Sequence, residues 1–591
     1  MRQVQLRKVA PLALLLTSLP ALALDVTSAN DTTNLIPRTF HGETVMVPDV
    51  PYSDPNPSWW SKVRASGAIQ TEFMVPLQDE ALMTPKYEKP VLNNTYFDFT
   101  VNAPYIAVGA RFQWTKYPLP GYVKEFNGWG VPYFWATGRY KWFQITAGDF
   151  YEQFGSGLIL RTYQDRALGV DGALRGGRLK LNPTNGLFIA ALAGKERYFW
   201  THNPAWIWGA DAEWSLNESF PKAFGNRYGV TLGFSYVGKH QGQQIIPVAP
   251  EEIYKLYLPE NVAAFDARVK ARLNDFNILA EFATKNNDPD YINHYIYSRG
   301  HAELLSVSYT KAGFSGFIQA KRSENMSYMS NRIDEGEDGN GFINHLPAFT
   351  NTQTYTLAAM YPYATDWNGE WAFQAQLGYT FKRGTALGGK YGTSIRLSAS
   401  YISDLDHSAP LGFPPTAQMG SNGDGAAFWK IGSLRYSDLN LEINKKFSKK
   451  LQFTLFYLFQ KFNNEKIFGE NDNGAIVTAN TVILEGQWKM MKKAQLRWEL
   501  QYLTTKQDKG DWMAGLIELS LAPHWMFTLT DTYNIGETKL NYYSAMVTYN
   551  YRANRFSLSF GRNRAGFNCA GGVCRWVPAT KGFNLTYNYT F

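Results

Sequence analysis

Strict period-two alternation of apolar and polar residues is the feature that most constrains this sequence. In the last stretch, Phe583, Leu585, Tyr587, Tyr589 and Phe591 alternate with Asn584, Thr586, Asn588 and Thr590. Leu496, Trp498, Leu500 and Tyr502 alternate in the same way with Gln495, Arg497, Glu499 and Gln501. So do Phe265, Ala267, Val269 and Ala271 with Asp266, Arg268, Lys270 and Arg272. Side chains of a strand point alternately to its two faces, so each segment is a strand with one apolar and one polar face.

Two architectures accept such strands: a soluble sandwich and a membrane barrel. Composition separates them. Aromatic residues make up 16% of the 591 residues, with 36 Tyr and 18 Trp, yet charged residues still reach 18%. A sandwich has little use for so many Tyr and Trp near strand ends, whereas a barrel places them in girdles at the two membrane interfaces. After the N-terminal stretch no run of 18 apolar residues occurs, which excludes helical spans. Lipid offers no partner to unpaired backbone groups, so the sheet must close. The expected fold is all-β, a large transmembrane antiparallel β-barrel of about 24 strands with long extracellular loops.

The N-terminus, MRQVQLRKVAPLALLLTSLPALALDV, carries Arg2, Arg7 and Lys8 before an apolar run ending in Ala21-Leu22-Ala23. It reads as a secretory signal over residues 1–23. Removal takes three positive charges and no acid, leaving +5 of the formal +8. No basic run forms a nucleic-acid footprint. Residues 24–64 are Pro-rich and expected to lack regular structure, and the barrel is expected over 65–591.

Candidate strands include Gly157–Tyr163 and Gln353–Met360. Counting back from Phe591 puts long loops outside and tight turns inside until Ser323–Ala348, a long acidic segment that falls on the wrong side. A miscounted strand near Ala426–Leu434 is the expected remedy.

Glycine, aromatic and opposite charges are densest in GDFYEQFGSGLILRTYQDRALGVDGALRGGRLKLNP, Gly148–Pro183. In a barrel its Asp149, Glu152, Arg161, Asp165, Arg166, Asp171, Arg175 and Arg178 read as a charge cluster facing the lumen. Paired, they would close it; unpaired, they would select solutes. Cys569 and Cys574, in CAGGVC, read as a disulfide closing a Gly-rich loop of an exported protein. Phe583, Leu585, Tyr587, Tyr589 and Phe591 resemble the C-terminal β-signal of bacterial outer-membrane proteins. Asp334, Glu335, Glu337 and Asp338 offer oxygen ligands of the kind calcium takes, but their spacing departs from an EF-hand loop and a solvated external loop accounts for them better. Eight scattered histidines form no metal motif, so neither catalysis nor a cofactor is expected.

The Gly148–Pro183 stretch, together with LGGKYGTSIRLSASYISD (Leu387–Asp404) and YPYATDWNGE (Tyr361–Glu370), resembles a Bacteroidota outer-membrane barrel family that carries only an unknown-function label. The resemblance implies fold and location and brings no catalytic residues. It implies as partners outer-membrane lipid, the assembly machinery that inserts barrels, and surface lipoproteins or other barrels. Two functions follow from these features: a scaffold subunit of an outer-membrane complex, or a porin-like passive channel for small polar solutes.

Overall fold

The computed structural model describes residues 35–40, 43–48 and 62–591, apart from 85, 88, 226, 249–253, 337–338, 408–418, 424 and 470–475. The signal segment lies outside the described residues. The 24–64 stretch contains a short antiparallel hairpin, Leu35–Phe40 paired with Glu43–Pro48, where no regular structure was expected. The β-branched Thr44, Val45 and Val47 favour extension there.

Ser58–Phe591 is built around one closed sheet of 24 strands, each pairing antiparallel with its neighbours. In chain order they are β1 Arg64–Pro76, β2 Leu92–Asn102, β3 Ile106–Lys116, β4 Gly128–Tyr140, β5 Phe143–Phe150 and β6 Leu174–Thr184. Next come β7 Leu187–Tyr198, β8 Thr201–Ser215, β9 Tyr228–His240, β10 Asn261–Leu273, β11 Phe276–Lys285 and β12 Gly300–Lys311. β13 Phe314–Glu324, β14 Gly369–Phe381, β15 Thr393–His407, β16 Ala426–Lys446, β17 Leu451–Asn463 and β18 Ile476–Met491 follow. The ring ends with β19 Ala494–Thr505, β20 Trp512–Leu521, β21 Trp525–Asn534, β22 Asn541–Tyr551, β23 Asn554–Asn563 and β24 Thr580–Thr590.

Two expected strands are not strands of the barrel. Gly157–Tyr163 lies in the connection between β5 and β6, and Gln353–Met360 lies in the connection between β13 and β14. One strand, β4, went unread because Gly128, Gly130, Pro132 and Gly138 interrupt its pattern. Ala426–Leu434 is no extra strand but the start of the 21-residue β16. With Gln353–Met360 removed, parity holds around the ring. Residues 77–91, 117–127, 151–173, 241–260, 286–299, 325–368, 408–425, 464–475 and 564–579 all leave one end, while the other carries tight turns such as 141–142, 185–186, 274–275, 312–313, 492–493 and 552–553.

The outer face carries an apolar belt. Val108, Val269, Ile318, Leu377, Leu455, Leu500, Ile517 and Leu529 are all exposed on it. Exposed Trp142, Trp214, Tyr379, Trp488, Trp525 and Tyr551 sit near the short-turn end. In water this surface would carry a penalty of roughly 25 cal/mol per Å²; lipid removes it, and the aromatic ring marks the interface.

Closure depends on β1 meeting β24. Gly67 and Phe591 exchange backbone hydrogen bonds of 3.0 Å in both directions. A Cβ on Gly67 would stand 2.4 Å from the Phe591 ring, so the ring fills the space a side chain there would need. Phe583 and Leu585 are exposed on the outer face of the same strand. Gly67→Val is expected to displace the ring and lower the heat-modifiable, folded fraction of refolded protein in a gel-shift assay, with Ser66→Val near wild type.

Candidate functional site: inserts packed inside the lumen

Along the inward face the strands change character with depth. Toward the long-loop end, small apolar residues replace the expected polar ones: Ala264, Ala283, Ala302, Ala372 and Ala479 are each fully buried. They leave room for segments that enter the barrel from its long-loop end.

The first insert, 151–173, runs from the β1–β2 wall across to β11. Phe154, Leu158, Ile159 and Leu160 pack with Phe150, Leu174, Val237, Val262 and the wall alanines. At β11, Ser156 donates from N and Oγ to the Glu281 carboxylate at 2.8 and 2.5 Å.

The second insert, 325–368, crosses the rest of the lumen. Met326, Tyr328, Ile343 and Leu346 join the first cluster. Phe349, Leu357, Tyr361 and Tyr363 form a second with Ile402, Tyr436, Phe462, Leu503 and Trp512. Ala358 packs with Phe456, Leu458 and Ile483, and Tyr355 reaches deeper still, donating to Glu485 at 3.0 Å. The two inserts are joined by backbone hydrogen bonds, Arg161 N to Ile343 O at 2.9 Å and His345 N to Gly157 O at 3.0 Å.

A third piece lies on top. Cys569 and Cys574 form a disulfide across the hairpin Gly566–Ala570/Val573–Val577. Thr365 N donates to Gly572 O at 2.9 Å, and the Arg575 guanidinium sits 3.8 Å over the Tyr122 ring. The short closed loop contributes about 2 kcal/mol in the chain-entropy picture. Cys569→Ser with Cys574→Ser is therefore expected to speed hydrogen exchange in Gly566–Val577 several-fold while the barrel strands keep their protection.

The charged residues singled out from the sequence divide into two groups. Glu152 accepts from Arg178 at 3.2 Å and Lys180 at 2.7 Å. Asp171 holds Arg111 at 3.4 Å, Tyr151 at 2.8 Å, and Arg197. Arg166 donates to Asp98 at 2.5 Å and Gln70 at 2.9 Å, both on the inner wall. Asp165 caps its own turn through Ala167 N and Leu168 N, and Arg161 stacks 5.2 Å over Tyr163. Asp149 and Arg175 are different. They flank Phe150 and Leu174, which are paired and point into the lumen core, so by alternation their own side chains face outward. The expected placement of these two in the lumen is corrected accordingly.

Other buried charges tie the inserts to the wall and are missing from the sequence-based cluster. Asp288, in the 286–299 loop, accepts from Lys239 of β9 at 2.5 Å and from Arg332 of the second insert at 3.3 Å, all three side chains being fully buried. Lys321 of β13 pairs with Glu370 at 2.7 Å and donates to Pro347 O at 2.7 Å. Burial, with Arg161 and Lys321 nearby, pushes the His345 imidazole down to about 3, so it is neutral inside the insert. Burial raises Asp290, against the pull of Lys285, to about 6.

Of the acidic candidate ligands, Glu337 and Asp338 lie outside the described residues. Asp334 accepts from Gly336 N at 2.9 Å, and Glu335 is exposed. Among the described residues no three His, Cys, Asp or Glu side chains converge as a metal site would require.

Below the inserts the inner wall is polar. Arg268 is held by Asp211 at 2.5 Å, Asp266 at 2.7 Å and Glu213 at 2.8 Å. Lys270 and Arg396 are about half exposed there, which marks a wetted space at the short-turn end.

Apolar belt, closed sheet and occupied lumen together define an integral membrane β-barrel with an internal plug. The chain matches, over residues 44–591, the family described as a family of unknown function (DUF6029), and it belongs to that family. No curated protein matches the sequence. Among solved structures it is similar to the siderophore receptor PirA from Pseudomonas aeruginosa, at 10% identity and TM-score 0.36, covering 89% of this chain and 80% of that one. It is also similar to OccAB3 of Acinetobacter baumannii, at 9% identity and TM-score 0.35, over 90% of this chain and 99% of that one. The ferric enterobactin receptor PfeA from Pseudomonas aeruginosa, solved with enterobactin, is similar at 10% identity and TM-score 0.40, over 89% and 81% of the two chains.

Proposed function

We propose that this protein is a non-enzymatic outer-membrane barrel whose lumen is closed by its own loops and which serves as a scaffold subunit of an outer-membrane complex. The observation that carries closure is the apolar core formed by 151–173 and 325–368 against the inner wall. A water-filled pore offers no reason to bury Phe154, Leu158, Tyr328 and Leu357 at its centre. The location is supported by the lipid-compatible belt, by the signal-like residues 1–23 and by the β-signal ending at Phe591, which the barrel-insertion machinery would read. Attribution to Bacteroidota rests on sequence resemblance. Surface lipoproteins or other barrels are the partners such a scaffold would hold, and the long-loop end offers the area for them.

A porin-like channel is the second reading, favoured by the polar, partly exposed short-turn half of the lumen. Planar-bilayer recording of the purified full chain decides between them. Near-silent membranes at high protein load support the scaffold, and large steady currents from the unmodified protein sink it.

A further inference from the structure

The barrel wall has a gap. β5 and β6 stop at Phe150 and Leu174, so β4 pairs with β5 only from Trp135 onward, and no strand lines the free edge of Gly128–Phe134 on that side. Across the gap stand the ends of β7 and β8, joined by the Phe199-Trp200 turn. Between the two edges lies a cavity of about 370 Å³, lined among others by Trp129, Pro132, Arg175, Phe199, Trp200 and His202. A Cβ on Gly128 would stand 2.6 Å from the Trp200 ring, so the missing side chain is what lets this indole lie against the strand.

The gap opens to the lipid side. Trp129 sits opposite Trp114, an exposed residue of the outer face, and is itself 74% exposed. Val131 is half exposed beside it. The β4 edge bulges where Val131 and Pro132 together face Phe112, which turns the Pro132 carbonyl toward Arg175. Arg175 is the outward-facing cation identified above. Its Nε and Nη2 bind the Asp149 carboxylate at 2.9 Å each, and Nη2 also donates to Pro132 O at 2.9 Å. Asp149 accepts Phe134 N at 2.8 Å as well. Nη1, with two N–H groups, donates to nothing among the described residues, and the side chain is one-third exposed. His202 contributes a buried Nε2 without a hydrogen-bond partner.

Asp149 and Arg175 already serve the strand edge at Phe134 N and Pro132 O, but an arginine with spare donors is costly against hydrocarbon. Those donors are satisfied if a polar, anionic group occupies the notch while apolar chains cover Trp129 and Val131. With the Nε/Nη2 face held by Asp149, the two N–H groups left on Nη1 are free to donate to phosphate oxygens. The notch lies near the long-loop end, which in a barrel of this class faces the outer leaflet.

We propose that the notch between β4 and β7/β8 binds a phosphate group of an outer-leaflet glycolipid, with Arg175 as its principal donor and Trp129 and Trp200 as the walls that receive the sugar and acyl portions. The proposal rests on the outer-membrane location argued above and does not depend on whether the lumen conducts.

The test is native mass spectrometry of the detergent-purified full chain titrated with a bisphosphorylated, acylated diglucosamine lipid, with the same lipid dephosphorylated, and with inorganic phosphate. Expected are one saturable lipid adduct, at least tenfold weaker binding of the dephosphorylated lipid, and no competition by millimolar phosphate. Trp129→Ala, at an exposed position that folding does not need, and the paired change Asp149→Asn with Arg175→Gln, which leaves no buried charge unpaired, should each weaken the adduct tenfold or more. Should the paired variant not fold, Arg175→Lys, which keeps the charge and loses the fork, replaces it. Equal binding of the two lipids, or unchanged binding by the variants, overturns the proposal. Full competition by inorganic phosphate would assign the site to a soluble phosphate and overturn the lipid. Membrane fractionation keeps the two readings apart: recovery outside the outer membrane removes the location, whereas outer-membrane recovery without an adduct removes this proposal alone.

Discussion

Replacing residues 326–367 by a short Gly-Ser turn is expected to raise the conductance of the barrel roughly tenfold or more over the unmodified protein, because a ring of this strand number without a plug leaves an aqueous channel. The replacement is structurally mild. Glu324 of β13 and Gly369 of β14 are paired directly, so a tight turn can join the two strands without moving either. What leaves with the segment is the filling against β15–β20, including Leu357, Tyr361 and Tyr363, together with the Met326, Tyr328, Ile343 and Leu346 part of the first cluster. The first insert keeps its own contacts with the β1–β7 side, among them Arg166 with Asp98 and Glu152 with Arg178 and Lys180. Single-channel recording checks the result, with heat-modifiability confirming that the ring is intact. A folded deletion variant that stays silent would show that something else closes the lumen.

The second large effect is expected at Asp288. Alanine there leaves Lys239 and Arg332 buried with no carboxylate between them, and removing one partner of a buried pair costs about 3–5 kcal/mol. The loss falls on the junction between insert and wall, so limited proteolysis should cut within 325–368 at a markedly higher rate while the barrel remains folded. Lys239→Met, Asp288→Leu and Arg332→Met made together should restore much of the protection, since replacing a whole buried ionic group by apolar residues of similar volume is often neutral. Equal protease rates for Asp288→Ala and the unmodified protein would mean that the triad does not anchor the insert.

Much of the fold was legible in the residues. Period-two alternation in Phe265–Arg272, Leu496–Tyr502 and Phe583–Phe591 marks strands of a two-faced sheet, and these are β10, β19 and β24 in the structure. The alternation of Asp266 and Arg268 with Phe265 and Val269 also says which face meets lipid. The errors have local causes. β4 is broken by three glycines and a proline, and Gln353–Met360 is apolar enough to pass for a strand although its partners are the inner wall.

The plug was less legible. Its signals are present: alanines at inward positions such as Ala264 and Ala283, and a 325–368 segment rich in Met, Phe, Leu and Tyr between acidic residues. No pairwise rule of spacing links an alanine on β10 to a leucine in a loop far along the chain.

By itself the sequence determined the strands, their two faces and the need for closure, because a strand's side-chain period and the absence of backbone partners in lipid act locally and identically along the chain. Only the tertiary structure decided that loops fill the lumen, that Asp149 and Arg175 face outward, and that the wall is open beside them. Those outcomes depend on where strands of unequal length end relative to one another around a closed ring.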